Sequence, residues 1–363
     1  MKKIMSISML LICTLCIFTA CQKETMEEGT DNLQTATRAS EDSMNKNSDN
    51  KSLVVLSAPS VYNNYYASIF DDIIEYQANF ANLVSGNDEV VILADAATLP
   101  YFDGKVPASM LLEADIEDIW IRDFAPVHPT KQVKFNYLPY FQSASTSNFI
   151  DNSFEDWFYA AGLSYGKKSN LILDGGNVVD NGKNKVIVTD RFLWDNPQLT
   201  KNAAKKKLKK LLGVKQVAII PEFPGDATGH ADGMVMWASS NKILLHELPN
   251  SIRKKTIKEL KKSFPGVKIV EVPDYYEDET WQGFSSACNI FVNSLVTDDF
   301  IYMPTFDSPY DTEMIDLFEA HTNKTVIPVP AESVCFMGGS VRCLSWQMKG
   351  SNANIILNLA EGN

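Results

Sequence analysis

The sequence lacks the features that mark metal-dependent and nucleotide-dependent enzymes. No His/Cys/carboxylate cluster has the spacing of metal ligands, and Gly175-Gly176 and Gly338-Gly339 are too short for a phosphate-binding loop of the dinucleotide or Walker type. Basic residues are also few: 33 Lys and Arg against 45 Asp and Glu give a net charge of −12, which argues against a nucleic-acid partner. We therefore expect chemistry that uses neither a metal nor an organic cofactor.

The N-terminal apolar run is too short to be a membrane-spanning helix. Residues 1–20 begin Met-Lys-Lys, continue as a short hydrophobic stretch and end in small residues before Cys21, which is the pattern of an export signal. A cysteine at this place resembles the lipobox of bacterial lipoproteins and predicts that Cys21 is acylated. Gln22 favours the outer membrane by the same resemblance. An ordinary signal peptide followed by a chance cysteine is the alternative.

Large apolar side chains are scarce in residues 21–52, which are rich in Glu, Asp, Asn, Ser, Thr and Lys. Such a stretch cannot bury enough surface to offset the entropy of ordering it. We predict a disordered tether here, followed by a single catalytic domain at residues 53–363. The sequence leaves the oligomeric state open, and it predicts membrane contact only through the lipid anchor.

Cysteine is sparse in the predicted domain. Three of the six cysteines lie in or at the export signal, which leaves Cys288, Cys335 and Cys343. An odd number offers no disulfide framework, and an unpaired thiol in an oxidising compartment is a liability unless it is buried or used. At least one of these thiols is therefore expected to have a role.

Short β-branched runs alternate with helical stretches through the domain. Strands are predicted at 53–57, 90–94, 117–121, 171–173, 185–189, 216–220, 232–238, 242–246, 268–272, 287–292, 300–303, 325–329 and 341–347. Helices are predicted at 63–84, 153–162, 200–212, 251–264 and 310–321. The even spacing, with turns such as Asn181-Gly182 between strands, favours an α/β fold of repeated strand–strand–helix–strand modules over a doubly wound sheet.

Four short segments combine polar residues with Gly or Trp near the ends of predicted strands. They are Asp118-Ile119-Trp120-Ile121-Arg122-Asp123, Asp174-Gly175-Gly176-Asn177, Gly229-His230-Ala231-Asp232-Gly233 and Gly338-Gly339-Ser340-Val341-Arg342-Cys343. Each segment alone has a structural interpretation as a core aromatic, a turn, a satisfied histidine or a small buried cysteine.

Taken together, the segments indicate a cysteine-dependent site. His230 and Asp232 are two residues apart where a strand is predicted to begin, so both side chains can emerge on one face. A cysteine with a distant histidine is the general pattern of an activated thiolate. Arg342, if it lies on a strand, points away from Cys343 and is not expected to lower the pKa of the thiol. In a papain-like protease the cysteine would come before the histidine, whereas here it comes after.

The order of the segments resembles the agmatine deiminase and bacterial peptidylarginine deiminase family. Trp-x-Arg-Asp, acidic-Gly-Gly-Asn, Gly-His-x-Asp and a Gly-Gly segment ending in Cys follow one another from about residue 53 to the end of the chain. The resemblance implies the pentein fold, a five-bladed α/β propeller of ββαβ modules around a central site. The five predicted helices agree with it.

The same resemblance implies a set of catalytic residues. Cys343 would be the nucleophile, His230 the general acid and base, and Asp123 and Asp232 the carboxylates that hold a substrate guanidinium, each through a bidentate pair of bonds. Attack by Cys343 would release ammonia and leave a covalent thiouronium, which water would hydrolyse to the ureido product.

The resemblance also implies a set of substrate-binding residues. Trp120 would pack against the alkyl chain or the guanidinium plane, and Asn289 is similar to a substrate-pocket asparagine of the peptidylarginine branch. Asp174 matches an acidic position that helps to orient the histidine, and Gly176 and Asn177 belong to the same motif.

The sequence departs from its relatives in ways that leave the substrate open. Asp174 and Arg342 stand where agmatine deiminases usually carry Glu and His, and residues 131–152 lack the arginines that would hold a C-terminal carboxylate. Agmatine, free arginine, peptidyl-arginine or another guanidino compound all remain candidates. The alternatives to a deiminase are a catalytically silent lipoprotein that binds guanidino ligands or cationic peptides, and an amidinotransferase.

Overall fold

The computed structural model of the protein describes residues 51–275 and 279–362. The strands in chain order are β1 (Leu53–Ser57), β2 (Glu89–Ala94), β3 (Leu111–Glu113), β4 (Val133–Asn136), β5 (Lys167–Ile172), β6 (Val179–Asp180), β7 (Lys185–Thr189), β8 (Gln216–Ile220), β9 (Val235–Ser239), β10 (Lys242–His246), β11 (Lys268–Val272), β12 (Thr280–Trp281), β13 (Phe284–Ser285), β14 (Leu295–Val296), β15 (Phe300–Thr305), β16 (Thr325–Pro330) and β17 (Trp346–Met348). The α-helices are α1 (Phe70–Val84), α2 (Ile121–Phe124), α3 (Ala144–Ala160), α4 (Arg191–Asp195), α5 (Lys201–Leu212), α6 (Asn250–Ser263), α7 (Asp311–His321) and α8 (Ser351–Glu361). In this part of the chain, no helix has the length and apolar character needed to cross a membrane.

Three stretches of the chain fold as the same module. In the first, β6 runs antiparallel to β7, α5 crosses over, and β8 returns parallel to β7. The same arrangement recurs in β9-β10-α6-β11 and in β14-β15-α7-β16. A parallel return requires a long crossover, which the helix supplies in each module.

Two further modules follow this plan with altered first strands. β1 is parallel to β2 across α1, and its antiparallel partner is β17 from the far end of the chain. β4 is parallel to β5 across α3, and its antiparallel neighbour is reduced to a single bridge between Val127 and Val133. The prediction of five ββαβ modules is therefore confirmed, and the pairing of β17 with β1 joins the two ends of the described chain.

The central strands are apolar on both faces because both faces are covered. Val54 and Leu56 pack in a core with α1, whereas Leu53 and Val55 pack in a second core with α3 and α8. All residues of β1 are buried. A strand of this kind is recognisable in a sequence as a continuous hydrophobic run.

Three segments that were predicted as strands differ from the prediction. Residues 117–120 and 287–292 lie in turns and loops, Ile121 begins α2, and only the end of the 341–347 segment pairs, as β17. Ile119, Phe291 and Val341 are fully buried, so the apolar character of these segments reflects core packing and not strand pairing.

Each module contains one of the five predicted helices, but the bounds of some helices differ from the prediction. α1 begins at Phe70 instead of residue 63, and α3 covers residues 144–160 instead of 153–162. α8 was not predicted; its buried residues Ala353 and Ile356 pack in the second core.

The predicted export signal at 1–20 and Cys21 lie outside the described residues, as does most of the predicted tether. Ser52, at the end of that tether, already belongs to the fold. Its backbone N–H donates to Asp88 Oδ1 at 3.2 Å, and its hydroxyl accepts a hydrogen bond from Gln347 Nε2 at 3.1 Å. The ordered domain therefore includes residue 52.

Candidate active site

A cavity of about 1080 Å³ is lined by residues from several separate stretches of the chain, among them 60–66, 117–123, 137–150, 223–234, 282–293 and 337–343. Trp120, Asp123, His230, Asp232 and Cys343 all contribute to its lining. The structure therefore brings together the four residues predicted for catalysis and the tryptophan predicted to contact the substrate.

The lining of the cavity is acidic. Among the described residues that form it, none is Lys or Arg and six are carboxylic acids, namely Glu117, Asp118, Asp123, Asp226, Asp232 and Asp274. Carboxylates concentrated in a concave site raise the local concentration of cations. The cavity is therefore suited to a positively charged ligand.

Two groups of segments surround the Cys343 thiol. The cysteine wall consists of residues 284–293 and 335–343. The histidine wall consists of Asp123, residues 174–177 and residues 229–232.

Cys343 is a buried thiol with an amide donor beside it. Asn293 Nδ2 donates to Cys343 Sγ at 3.1 Å. Asn293 Oδ1 in turn accepts hydrogen bonds from the backbone N–H and the hydroxyl of Ser340, at 3.3 and 3.1 Å. Asn293 thus connects the two segments of the cysteine wall and fixes the donor that points at the sulfur.

A glycine allows Trp120 to approach the nucleophile. A Cβ atom at Gly339 would overlap the ring of Trp120 and would lie 2.8 Å from Cys343 Cβ. Its neighbour Gly338 has φ +102°, a backbone conformation that favours glycine. The glycine at position 339 therefore permits the close approach of Trp120 to Cys343.

The cysteine wall contains a disulfide that the sequence analysis did not foresee. Cys288 and Cys335 are bonded, and the backbone N–H of Ala287 donates to the carbonyl oxygen of Cys335 at 2.8 Å. The expectation that the three cysteines offer no disulfide framework is therefore wrong. The odd count arises because one pair is bonded and Cys343 is left as the free cysteine of the described chain.

The histidine wall places an imidazole between two carboxylates. His230 Nε2 lies 3.3 Å from Asp174 Oδ2, and His230 Nδ1 lies 3.7 Å from Asp123 Oδ1. Asp123 Oδ1 also accepts a hydrogen bond from the backbone N–H of Gly176 at 2.9 Å. A Cβ at Gly176 would overlap the His230 ring and would lie 2.7 Å from Asp123 Oδ1, so this position requires glycine.

His230 and Asp232 converge by a different local structure from the one predicted. Strand β9 begins at Val235, and both residues lie in the loop before it. The loop turns because Gly229 has φ +65° and the N–H of Val235 bonds to the carbonyl oxygen of Ala231 at 2.9 Å. A turn, and not the alternation of side chains along a strand, therefore places His230 and Asp232 on the same side of the chain.

The charges of the site shift the pKa values of three residues. Burial alone would lower the pKa of His230, but the carboxylates of Asp123, Asp174 and Asp232 outweigh it and raise the pKa to about 10. Burial raises the pKa of Asp123 to about 7. Burial, followed by the charges of Asp232 and Asp123, raises the pKa of the Cys343 thiol well above its ordinary value. These charges and this burial therefore favour a protonated imidazole beside a neutral thiol.

Arg342 does not point away from the site as predicted. Residues 340–345 form a helical turn, in which the N–H of Leu344 bonds to the carbonyl oxygen of Ser340 at 3.1 Å. In that conformation Arg342 Nη1 donates to Asp232 Oδ2 at 2.7 Å. The prediction assumed a strand, and the absence of a strand changes the direction of the side chain.

Asn177 and Asn289 were predicted to bind substrate, but their side chains bond to backbone groups and are not among those that line the cavity. Asn177 Oδ1 accepts a hydrogen bond from the N–H of Thr189 at 2.7 Å, and Asn289 Nδ2 donates to the carbonyl oxygen of Tyr275 at 3.1 Å. Asp174 and Gly176 act on the cavity through His230 and Asp123. Asn293, which the sequence analysis missed, lines the cavity beside Cys343; no periodicity or motif separates it from Asn289.

Metal binding has no evident ligand set here. Within residues 51–275 and 279–362, no three His, Cys, Asp or Glu side chains are grouped in a way that would hold a metal ion.

Comparison with known proteins gives consistent matches along most of the chain. A model of the Porphyromonas-type peptidyl-arginine deiminase family matches residues 43–348. The agmatine deiminase of Pseudomonas fluorescens is 22% identical over 293 residues, which cover 67% of this chain and 77% of that protein.

Solved structures share the fold at lower sequence identity. The agmatine deiminase of C. jejuni has a TM-score of 0.70 at 20% identity, with 84% of this chain and 94% of that chain covered. The agmatine deiminase of Enterococcus faecalis has a TM-score of 0.67 at 16% identity, with 83% and 94% covered. These matches confirm the five-bladed α/β propeller that was expected from the sequence.

Proposed function

The chain belongs to the Porphyromonas-type peptidyl-arginine deiminase family, and from that membership we propose that its cavity hydrolyses a substrate guanidinium to a ureido group and ammonia. The enzyme is a hydrolase that acts on the C–N bond of a linear amidine. The observation that carries the proposal is the convergence of a buried thiol, a histidine and two carboxylates at one acidic cavity: Cys343, His230, Asp123 and Asp232.

Substrate binding follows from the charges of the cavity. A guanidinium is a planar cation with forked N–H donors, and carboxylates accept such donors in strong, charge-assisted bonds. Asp123 and Asp232 would fix the plane of the group, and Trp120 would lie against it or against the alkyl chain. A fixed plane lets the sulfur approach the central carbon from above, which is the orientation that the reaction needs.

Binding of the cation also activates the nucleophile. Burial and the carboxylates of Asp232 and Asp123 raise the pKa of Cys343. A guanidinium between them neutralises their charge, so the thiol loses its proton to solvent more readily when substrate is present. The reactive thiolate is thereby formed mainly in the complex.

The covalent steps use His230 in both directions. The Cys343 thiolate adds to the guanidinium carbon and forms a tetrahedral adduct. Protonated His230 donates to the departing nitrogen, the C–N bond breaks, and ammonia leaves a thiouronium on the sulfur. Neutral His230 then takes a proton from water as the water adds to the same carbon. The C–S bond breaks, the hydroxyl proton of the adduct passes to the sulfur, and the ureido product leaves with Cys343 restored as a thiol.

The substrate is proposed to carry no carboxylate near its guanidinium. None of the described residues that line the cavity is Lys or Arg, so a carboxylate would face six acidic side chains without a counter-ion. Agmatine and arginine within a peptide meet this requirement, whereas free arginine and C-terminal arginine do not. Two exposed aromatic rings in the lining, Tyr62 and Phe149, are 79% and 59% exposed and would give a peptide additional contact area.

The test offers the purified protein four substrates: agmatine, free arginine, a peptide with internal arginine and a peptide with C-terminal arginine. Release of ammonia and formation of the ureido group are measured for the wild type and for Cys343→Ser. We expect turnover of agmatine or of the internal-arginine peptide, abolished in Cys343→Ser, which still binds the substrate. Substantial turnover by Cys343→Ser would remove Cys343 as nucleophile, and a folded wild type that releases no ammonia would refute the deiminase.

We also propose that the chain is exported and anchored through an acylated Cys21, because residues 1–20 have the pattern of an export signal that ends at this cysteine. The Cys288–Cys335 disulfide supports an oxidising compartment, since such bonds are rare in the cytosol. Cys21→Ser should release the protein from the membrane fraction, and retention of that variant in the membrane would refute the anchor.

A further inference from the structure

Arg342 is adjacent to the nucleophile in sequence but bonds to the histidine wall. Its Nη1 donates to Asp232 Oδ2 at 2.7 Å, and its Nη2 donates to the carbonyl oxygen of Val178 at 2.7 Å. Two bonds from one planar guanidinium fix both its position and its plane. Arg342 therefore joins the cysteine wall to the histidine wall.

The backbone of Arg342 is held as well as its side chain. Its N–H donates to the carbonyl oxygen of Asn293 at 3.1 Å, and its carbonyl oxygen accepts from Arg122 Nε at 3.2 Å. Asn293 is also the donor to Cys343 Sγ. A displacement of Arg342 would therefore disturb the nucleophile and its hydrogen-bond donor together.

The buried carboxylate of Asp232, to which Arg342 bonds, needs a counter-ion. Asp232 is only 2% exposed, and a buried carboxylate is unfavourable unless it is paired. Arg342 meets this need at Oδ2, the oxygen that also lies 3.9 Å from Cys343 Sγ. The other oxygen, Oδ1, remains for the substrate.

Asp123 shows the same division between its two oxygens. Its Oδ1 accepts the N–H of Gly176 and faces His230, which leaves Oδ2 for a ligand. Each of the two carboxylates is thus oriented by a bond within the protein through one oxygen. A neutral amide orients Asp123, whereas a charged guanidinium orients Asp232.

We propose that Arg342 is a positioning residue that holds the carboxylate of Asp232 turned so that Oδ1 receives an N–H of the substrate guanidinium. This inference rests on the proposed function. Asp232 then binds the substrate through a single oxygen and not through the bidentate pair that the sequence suggested. Arg342 itself is not among the residues that line the cavity and does not touch the substrate.

A double-mutant cycle tests this assignment. The full chain is compared with Arg342→Met, Asp232→Asn, the double variant and Arg342→Lys, with agmatine and a blocked peptide with internal arginine as probes. Steady-state kinetics give kcat and KM, and calorimetry with each protein in a Cys343→Ser background gives Kd. Thermal melting of every variant separates loss of fold from loss of positioning; should Arg342→Met not fold, Arg342→Gln replaces it.

We expect Arg342→Met to lower kcat/KM by about 100-fold, mainly through KM, and to cost less than about threefold in the Asp232→Asn background. Arg342→Lys should have a kcat/KM about tenfold higher than that of Arg342→Met. A lysine supplies the charge but cannot bond Asp232 and Val178 in one plane, so the recovery is partial. Equal losses in both backgrounds, or wild-type kinetics in Arg342→Met, would overturn the inference alone. A wild type that neither turns over nor binds either probe would overturn the proposed function, and this inference with it.

Discussion

The two walls around Cys343 are held in place by different forces. The histidine wall is charged: Asp174, His230 and Asp123 lie in a row with separations of 3.3 and 3.7 Å. The cysteine wall is held by a disulfide and by neutral hydrogen bonds: Asn293 donates to Cys343 Sγ and accepts from the hydroxyl of Ser340. Its charged member, Arg342, is directed away from its own wall and towards Asp232.

The difference fits the task of each wall. A histidine that must hold a proton is stabilised by carboxylates, whereas a thiol that must lose one is hindered by them. A covalent bond and amide donors can fix the cysteine wall without adding negative charge beside the sulfur. The bonds that hold each wall in place therefore also set the charge around the histidine and the thiol.

The largest effect is expected from removing the charged centre of the histidine wall. His230→Gln leaves no group to protonate the departing nitrogen or to deprotonate water, so we expect kcat to fall by about 10³-fold. Ammonia release at saturating substrate measures this. His246→Gln is the matched control, because His246 also lines the cavity but pairs with Asp274 at 3.4 Å. A similar loss in both variants would show that His230 has no special part in the reaction.

A smaller effect is expected from the neutral support of the cysteine wall. Asn293→Ala removes the donor to Cys343 Sγ and leaves the N–H of Ser340 without its acceptor, which we expect to lower kcat/KM by about 10- to 100-fold. Asn289→Ala is the control, since Asn289 is also a buried asparagine but is not among the cavity-lining residues. If Asn289→Ala were the more damaging change, the assignment of the two asparagines would have to be reversed.

The smallest effect on activity is expected from breaking the disulfide. Cys288→Ala/Cys335→Ala should lower the free energy of unfolding by about 2–4 kcal/mol and Tm by about 3–6 °C. The Asn293 bonds still connect the segments, so we expect less than about a fivefold change in kcat. A reducing agent should lower Tm of the wild type and leave this variant unchanged; equal sensitivity of both to reductant would argue that the bond has no stabilising role.

Strands could be predicted from the sequence where a buried apolar run is also paired in a sheet. β1, covered on both faces, was visible as an apolar run, and the turn at Asn181-Gly182 marked the hairpin between β6 and β7. Residues 287–292 were misjudged because a buried loop has the same hydrophobicity as a strand. Their chain reverses at Asn289, whose φ of +62° no apolar pattern reveals.

The candidate site was predictable where a residue type is rare and unpredictable where it depends on contacts between distant segments. Cys343 and His230 stood out by their chemistry and by the order of the motifs. Asn293 did not, because its selection over Asn289 depends on which loop faces the cavity. The bond between Cys288 and Cys335 joins positions 47 residues apart, a separation that no sequence spacing identifies as a pair.

The pairing of β17 with β1 has a consequence for biosynthesis. A ribosome delivers the chain from its N-terminus, so β1 is made nearly 300 residues before its antiparallel partner. Cys343 lies just before that partner and is therefore also made long after β1. A chain still in synthesis already carries His230 and the carboxylates, but it lacks the nucleophile and the strand that closes the fold. Activity is thus withheld until Cys343 and β17 have been made.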